Sequence, residues 1–219
     1  MPDPGGDVRV KICGIVDPVA LATACEAGAD WVGFVFFARS PRSVTAAQAA
    51  TLLRDVGPRS PQTVGLFVRA SDDEIARVLD ETPLDILQIY DTPERAMAIR
   101  AKFRRPVWLA CGVATRADLP ETCRVDGLVI ESRAPVDADR PGGNACSFDW
   151  SLTARWPAPA PWLLAGGLTP ENVEAAIAAS GARAVDVSSG VEDAPGRKNP
   201  GRIRNFIQAA KGTCHSHRS

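Results

Sequence analysis

The sequence predicts a single (β/α)8 barrel of the TIM type. Eight apolar runs of strand length recur along the 219 residues. Their nearly continuous apolar character is typical of parallel strands covered on both faces, and eight strand-then-helix units in about 200 residues fit such a barrel. An open doubly wound sheet is the alternative, because sequence alone does not show closure. However, no GxGxxG follows the first strand and no GxxxxGK[ST] occurs.

The eight predicted strands are bounded by polar or turn-forming residues. In chain order they are VRVKI (8–12), WVGFVF (31–36), TVGLFV (63–68), LDILQI (84–89), PVWLA (106–110), DGLVI (126–130), PWLLA (161–165) and ARAVDV (182–187).

Helix-start signals lie between these runs. Three capping side chains precede a proline at the first helical position: Asp17-Pro18, Thr92-Pro93 and Thr169-Pro170. Two pairs have the spacing of a capping box: Thr45 with Gln48, and Ser71 with Glu74. The segments that follow carry apolar residues at helical intervals. Clear examples are 17–28, 71–81 and 169–180, and the segment 200–212 closes the pattern.

The length and net charge of the chain limit the classes of protein to which it can belong. We expect one domain over 1–219, with 1–7 and 212–219 as flexible tails. The formal net charge is -1 and the basic residues are scattered, which argues against a nucleic-acid or membrane surface but leaves small acidic ligands open. With no membrane-spanning run and no signal-peptide pattern, we expect a cytoplasmic protein. The oligomeric state stays open between monomer and homodimer.

The positions of the cysteines and histidines limit the kinds of catalysis that the chain can support. The six cysteines form no CxxC pair and show no zinc-ligand spacing. Both histidines, His215 and His217, lie in the polar tail. Histidine-dependent nucleophilic chemistry and histidine-rich zinc sites are therefore disfavoured, and catalysis must use Cys, Asp, Glu, Lys, Arg or backbone groups. The long polar loop 132–146 is a candidate functional segment.

The active sites of such barrels lie where the strands end at their carboxyl edge. Strand one delivers Cys13, which is either a base or a small buried apolar residue. Strand two leads to Arg39 and Arg42, which are either a clamp for a carboxylate or ordinary surface arginines. Strand six ends at Glu131, which is either an acid with a raised pKa or a strand end that is ion-paired with Arg133.

Glycines and small hydroxyl residues follow the last two strands. The sequences are LAGGLTPENV and VDVSSGVEDAPG. Backbone N–H groups free of side-chain obstruction, next to a capped helix, are what a phosphate site needs. The alternative is that Gly166, Gly167 and Gly190 only make tight turns.

Taken together, these residues resemble the phosphoribosylanthranilate isomerase family of tryptophan biosynthesis. KICG, GADWVGFVFFARSPRSV, VGLFV, LAGGLTPENV and VDVSSGVEDAPGRKNPGRI are similar to that family's motifs, in order, from about residue 8 to residue 208. The resemblance implies an Amadori rearrangement without a cofactor or metal. A general acid opens the sugar ring to a Schiff base, and a general base then removes the C2′ proton.

The resemblance also implies roles for individual residues. Cys13 matches the general base, Glu131 the general-acid position, and Arg42 the arginine that holds the anthranilate carboxylate. Asp186 matches a carboxylate that faces the sugar hydroxyls. The implied phosphate-binding residues are Gly166, Gly167, Ser188, Ser189 and Gly190.

Three departures from the family pattern stand out. LVIE replaces the usual LLLD, so Glu131 stands where an aspartate is expected. LQIYD replaces LQLHG, so Tyr90 and Asp91 stand where a histidine and a glycine are expected. In GGNACSFDW, Ala145 replaces a glycine. These changes keep two alternatives open: a diverged paralogue acting on another phosphosugar, and a catalytically silent phosphosugar-binding barrel.

Overall fold

In a computed structural model, eight parallel strands close into a barrel in sequential order, β1 to β8. The structure describes residues 8–54, 57, 60–133 and 149–212. The barrel strands are β1 Arg9–Cys13, β2 Trp31–Val35, β3 Gln62–Val68, β4 Ile86–Tyr90, β5 Val107–Val113, β6 Gly127–Ser132, β7 Trp162–Leu164 and β8 Ala184–Val187. Because β1 pairs with β8, the (β/α)8 prediction is confirmed and the open sheet is wrong.

Six α-helices are present among the described residues. They are α1 Pro18–Glu26, α2 Ala46–Leu53, α3 Asp72–Glu81, α4 Pro93–Phe103, α5 Val173–Ser180 and α6 Pro200–Gly212. The hairpin of β9 (Glu192–Ala194) and β10 (Arg197–Lys198) precedes α6. One described connection, 114–126 after β5, holds only a 3-10 helix in place of an α-helix. Short 3-10 helices, Arg116–Asp118 and Trp150–Thr153, are the elements described after β5 and β6.

The predicted caps are present at four helices. Asp17 accepts a hydrogen bond from the Ala20 amide at 2.8 Å, and Thr92 accepts one from the Arg95 amide at 3.2 Å. Reciprocal capping boxes form at Thr45 and Ser71. Local side-chain chemistry therefore sets these helix starts, as the sequence indicates.

The fifth helix begins later than its Thr169-Pro170 signal predicts, at Val173. The Asn172 side chain explains the difference: its amide donates to the Gly167 carbonyl at 2.9 Å, while its oxygen accepts from the Thr169 amide at 2.8 Å. These bonds close a turn that joins the glycine loop to the helix. The turn holds the loop after β7 in place at the barrel mouth.

The barrel interior is apolar at the bottom and polar at the top. An apolar plug fills the lower part: Trp31, Val64, Ile86, Trp108, Val129, Leu163, Ala165 and Ala184. Trp31 and Trp108 meet edge to face within it, with ring centroids 5.1 Å apart. Above the plug, Lys11 and Gln88 are completely buried. The polar groups therefore gather toward the carboxyl ends of the strands.

Several predictions fall outside the described residues. These concern Cys146, Cys214, His215, His217, Ala145, residues 134–146 of the long loop, residues 1–7 and 213–219 of the tails. Gly212, the remaining residue of the predicted tail, ends α6 instead. Within the described residues no helix is long and apolar enough to cross a membrane.

Candidate active site at the carboxyl ends of the barrel strands

Cys13 and Asp186 meet at the closure of the barrel, around the side chain of Lys11. The Lys11 ammonium lies 2.9 Å from one oxygen of Asp186. The other oxygen of Asp186 is buried without a partner among the described residues. An unpaired buried acceptor is costly, so this oxygen is available to a donor on a ligand, such as a sugar hydroxyl.

The Cys13 side chain lies beside the same ammonium. Burial raises the pKa of Cys13 above its ordinary value, while the positive charges of Lys11 and Lys198 oppose that rise. Burial alone would lower the pKa of Lys11, but Asp186 and Cys13 raise it on balance. Cys13 is thus both a buried thiol and a group flanked by two cations. The two cations stabilise the thiolate, which is the form of Cys13 that can accept a proton.

Glu131 lies at the end of β6, with only 6% of its surface exposed. Burial raises the pKa of Glu131 to about 8, although the Tyr90 hydroxyl acts to lower it. Arg133 forms its ion pair with Asp118. The interpretation of Glu131 as a strand end paired with Arg133 is therefore wrong. At neutral pH Glu131 is a protonated carboxyl group in the barrel mouth and can serve as a proton donor.

Arg42 is buried, which overturns its reading as a surface arginine, whereas Arg39 is exposed. The Arg42 guanidinium donates twice to Glu192, from Nε at 2.7 Å and from Nη2 at 2.8 Å. The remaining nitrogen, Nη1, has no hydrogen-bond partner within the described part of the chain. A bidentate carboxylate thus fixes the guanidinium plane and leaves one edge for a ligand.

Glu192 also binds Lys198, whose ammonium lies 2.8 Å away. Lys198 donates to the Ser188 carbonyl at 2.9 Å, and the Ser188 hydroxyl donates to the Cys13 carbonyl at 3.1 Å. Burial would raise the pKa of Glu192, but Arg42 and Lys198 hold it below its ordinary value. The network links the loop after β2, the loop after β8 and the end of β1.

The two glycine-containing loops touch at the rim. A Cβ atom on Gly190 would lie 1.8 Å from the Leu168 carbonyl oxygen, so only glycine permits this approach. Gly166 and Gly167 have φ angles of 86° and 66°, in the left-handed region that favours glycine. Ser189 and Gly190 lie in a 3-10 helix, Ser189–Val191, directly after Ser188. The five residues therefore form one continuous rim.

An apolar wall faces this polar set. Cys13 packs with Val35 and Leu66 in one cluster, and Phe37, Val68 and Tyr90 pack against it. The wall belongs to β2, β3 and β4. It gives the barrel mouth an apolar side next to Cys13.

The structure thus brings together Cys13, Glu131, Asp186 and the two loops at one end of the barrel. Sequence reasoning missed the roles of Lys11, Glu192 and Lys198. One signal was available for Lys11: a lysine in the middle of an apolar strand must find a buried partner. Nothing local indicates Glu192, because its partner Arg42 lies 150 residues away.

Comparisons with known proteins point to one family. A family described as N-(5'phosphoribosyl)anthranilate (PRA) isomerase matches residues 10–209. The N-(5'-phosphoribosyl)anthranilate isomerase of Acidiphilium cryptum is 55% identical over 203 residues, covering 92% of this chain and 98% of that protein.

Two solved structures show the same fold. One is a phosphoribosyl anthranilate isomerase in complex with reduced 1-(o-carboxyphenylamino)-1-deoxyribulose 5-phosphate, with a TM-score of 0.78 and 33% identity, covering 94% of this chain and 99% of that one. The other is a monomer form of the dimeric enzyme from Thermotoga maritima, with a TM-score of 0.76, 33% identity and the same coverage. The matching family profile and these relatives show that the chain belongs to the N-(5'-phosphoribosyl)anthranilate isomerase family.

Proposed function

We propose that this protein is an intramolecular oxidoreductase that converts N-(5'-phosphoribosyl)anthranilate into 1-(2-carboxyphenylamino)-1-deoxyribulose 5-phosphate in tryptophan biosynthesis. The observation that carries the proposal is the pairing of a buried, protonatable Glu131 with Cys13 in one barrel mouth. A cytoplasmic location fits this role. The 55% identity to a curated isomerase gives no support to the diverged paralogue or the silent barrel.

Each part of the substrate has a matching surface. The phosphate would bind at Gly166, Gly167, Ser188, Ser189 and Gly190, where backbone amides and a left-handed glycine turn meet. The anthranilate ring would lie on the apolar wall, with its carboxylate on the free edge of Arg42. The unpaired oxygen of Asp186 would accept a bond from a sugar hydroxyl.

The acid step precedes the base step. The Glu131 carboxyl gives its proton to the ribose ring oxygen, the C1′–O bond breaks, and the anilino nitrogen becomes a protonated Schiff base. Cys13 then removes the C2′ proton, and the electrons of the C–H bond neutralise the iminium nitrogen. The resulting enolamine takes a proton at C1′ and its enol hydroxyl loses one, which gives the ketone product. Lys11 and Lys198 stabilise the thiolate, and no step needs a metal or cofactor.

Turnover of the fluorescent substrate tests this function. The purified protein should abolish substrate fluorescence catalytically, and Glu131→Gln and Cys13→Ala should each lower kcat by about 100-fold or more, because each removes one proton-transfer group. Arg39→Ala is the matched control, since Arg39 is exposed and should leave the rate unchanged. Full activity in both variants would contradict the proposed chemistry. No turnover by the parent protein, with product analogue still bound, would favour a silent barrel.

The exposed apolar surface bears on the oligomeric state in solution. A related enzyme from Thermotoga maritima is dimeric, and its monomer form also folds. Val19 is the one large apolar side chain that is exposed among the described residues, at 60%. Such a surface offers no extended apolar interface in the described part, so we propose a monomer, which sedimentation equilibrium would test.

A further inference from the structure

Lys198 is a buried lysine whose three ammonium protons all have acceptors. Only 5% of its surface is exposed. Its Nζ donates to the Ser188 carbonyl at 2.9 Å, to the Ser188 hydroxyl at 3.3 Å and to one oxygen of Glu192 at 2.8 Å. An ammonium group has three donors and no acceptor. Lys198 therefore has no proton left to donate to a ligand, and it acts through the groups that it holds.

The contact with Lys198 sets the direction of the hydrogen bond from the Ser188 hydroxyl. The hydroxyl oxygen accepts from Lys198, and its single proton is donated to the Cys13 carbonyl at 3.1 Å. The hydroxyl thus has no proton left for a phosphate oxygen. Ser188 can contribute to the phosphate site only through its backbone, while its side chain holds the end of β1.

The peptide group that follows Cys13 is bonded on both sides. Its carbonyl accepts from the Ser188 hydroxyl, and its N–H, which belongs to Gly14, donates to the Gly33 carbonyl at 2.9 Å. A planar peptide group that is bonded on both sides cannot rotate without breaking one of the bonds. The position of Cys13 at the barrel mouth therefore depends on Ser188.

Lys198 also orients the peptide group between Ser188 and Ser189. It binds the Ser188 carbonyl, and in a trans peptide the N–H of the next residue points the opposite way. The Ser189 N–H has no hydrogen-bond partner within the part of the chain that the structure describes. It is therefore directed away from Lys198 and is available to a phosphate oxygen.

We propose that Lys198 and Ser188 are positioning residues that fix the separation between the Cys13 thiol and the phosphate loop after β8. The phosphate and the C2′ atom belong to one substrate molecule, so this separation has to match the length of the sugar phosphate. A misplacement of about 1 Å can cost roughly 100-fold in rate. The inference rests on the proposed function and deepens it.

The first test is Ser188→Ala, which removes one hydroxyl and leaves the backbone of the loop in place. kcat should fall about 10-fold, the factor expected from one hydrogen bond, while the Kd of inorganic phosphate, measured by NMR titration, should change less than about twofold. Ser188→Thr keeps the hydroxyl and should restore most of kcat. An unchanged kcat in Ser188→Ala, or a loss of kcat matched by an equal loss of phosphate affinity, would overturn the proposal.

The second test is Lys198→Met, which releases both the hydroxyl and the carbonyl of Ser188. Here kcat also falls because the cation beside Cys13 is lost, so the Kd of inorganic phosphate is the deciding quantity. It should rise about 10-fold, because the Ser189 amide is no longer oriented. Lys102→Met removes an exposed lysine from a surface ion pair and should leave kcat and Kd unchanged. Unchanged phosphate affinity in Lys198→Met would overturn the role of Lys198, and Ser188→Ala decides the proposal if Lys198→Met does not fold.

A third measurement needs no substrate. Hydrogen exchange of the Gly14 amide should become about 10-fold faster in Ser188→Ala, because its peptide group has lost the bond on the carbonyl side. The Arg69 amide, which follows β3 and donates to the Tyr90 carbonyl at 3.1 Å, is the internal control and should keep its rate. No acceleration at Gly14, or equal acceleration at both amides, contradicts the proposal. Faster exchange at Gly14 alone, in a protein without turnover, supports the positioning role and overturns only the proposed function.

Discussion

Glu131 is uncharged at neutral pH because the barrel mouth removes it from water. Its pKa rises from 4.5 to about 8, and burial is the largest cause. The ionised form is therefore penalised in the folded protein, which is the condition a general acid needs at neutral pH. Glu131 thus has the protonation state that the proposed acid step requires.

The same burial predicts a pH dependence of folding. Between the unfolded pKa near 4.5 and the folded value of about 8, the native state binds the Glu131 proton more tightly than the unfolded state. Stability from this group is full below the lower value and is lost as pH rises, with a slope of at most about 1.4 kcal/mol per pH unit. In urea unfolding, the free energy of unfolding should fall more between pH 5 and pH 8 in the parent protein than in Glu131→Gln. Equal losses would contradict the raised pKa.

Lys11 controls the second reacting group, since its charge opposes the rise in the pKa of Cys13. In Lys11→Met the thiol should ionise at higher pH, so alkylation of Cys13 by iodoacetamide at pH 8 should slow by about 10-fold or more. Peptide mass spectrometry resolves each cysteine, and Cys25 is the internal control because it lies outside the site. Unchanged alkylation of Cys13 would show that Lys11 does not act on the thiol.

At the scale of elements, the loop after β7 and the 3-10 helix after β8 depend on one glycine contact. Gly190→Ala would drive a methyl group into the Leu168 carbonyl oxygen. We expect a loss of about 1–3 kcal/mol in stability from overpacking and at least a 10-fold weaker affinity for the product analogue. Gly57→Ala is the control, because a Cβ there meets no atom within 4 Å. Unaltered affinity in Gly190→Ala would remove the two loops from the phosphate site.

Glu192, directly after the 3-10 helix Ser189–Val191, holds two buried cations in place. Glu192→Gln removes the charge that pairs with both Arg42 and Lys198. Leaving two buried cations without a carboxylate should cost about 3–5 kcal/mol of stability. Chemical denaturation measures this loss, and KM should rise because the Arg42 guanidinium is no longer fixed. Glu171→Gln, at an exposed ion pair with Arg202, is the control and should cost less than about 1 kcal/mol.

Local signals explain which elements the sequence could predict. The caps at Asp17, Thr45, Ser71 and Thr92 act within three residues, so they are readable from the chain alone. The later start of α5 depends on how Asn172 folds back on Gly167, which no short pattern specifies. A helix after β5 was expected from the repeat alone, but the capping box of Thr115 and Asp118 begins only a 3-10 helix, Arg116–Asp118.

Contacts between distant parts of the chain explain which parts of the site could not be predicted. Cys13, Arg42, Glu131 and the loops could be named as candidates because strand ends in a parallel barrel share one edge, whereas their roles came from the family resemblance. The buried ion pair of Lys11 and Asp186 could not be predicted in this way. These two residues are 175 positions apart and meet only because β1 pairs with β8. The polar mouth is thus a property of barrel closure, and each reacting group depends on a residue from a distant part of the chain.

The central claim is that one mouth binds the phosphate, the sugar and the anthranilate together. A crystal structure of this protein with reduced 1-(o-carboxyphenylamino)-1-deoxyribulose 5-phosphate tests it most directly. We predict the phosphate on the 166–167 and 188–190 loops, the carboxylate on Arg42, and Cys13 and Glu131 on either side of the sugar carbons. A ligand bound elsewhere, or a sugar out of reach of Cys13 or Glu131, would contradict the account.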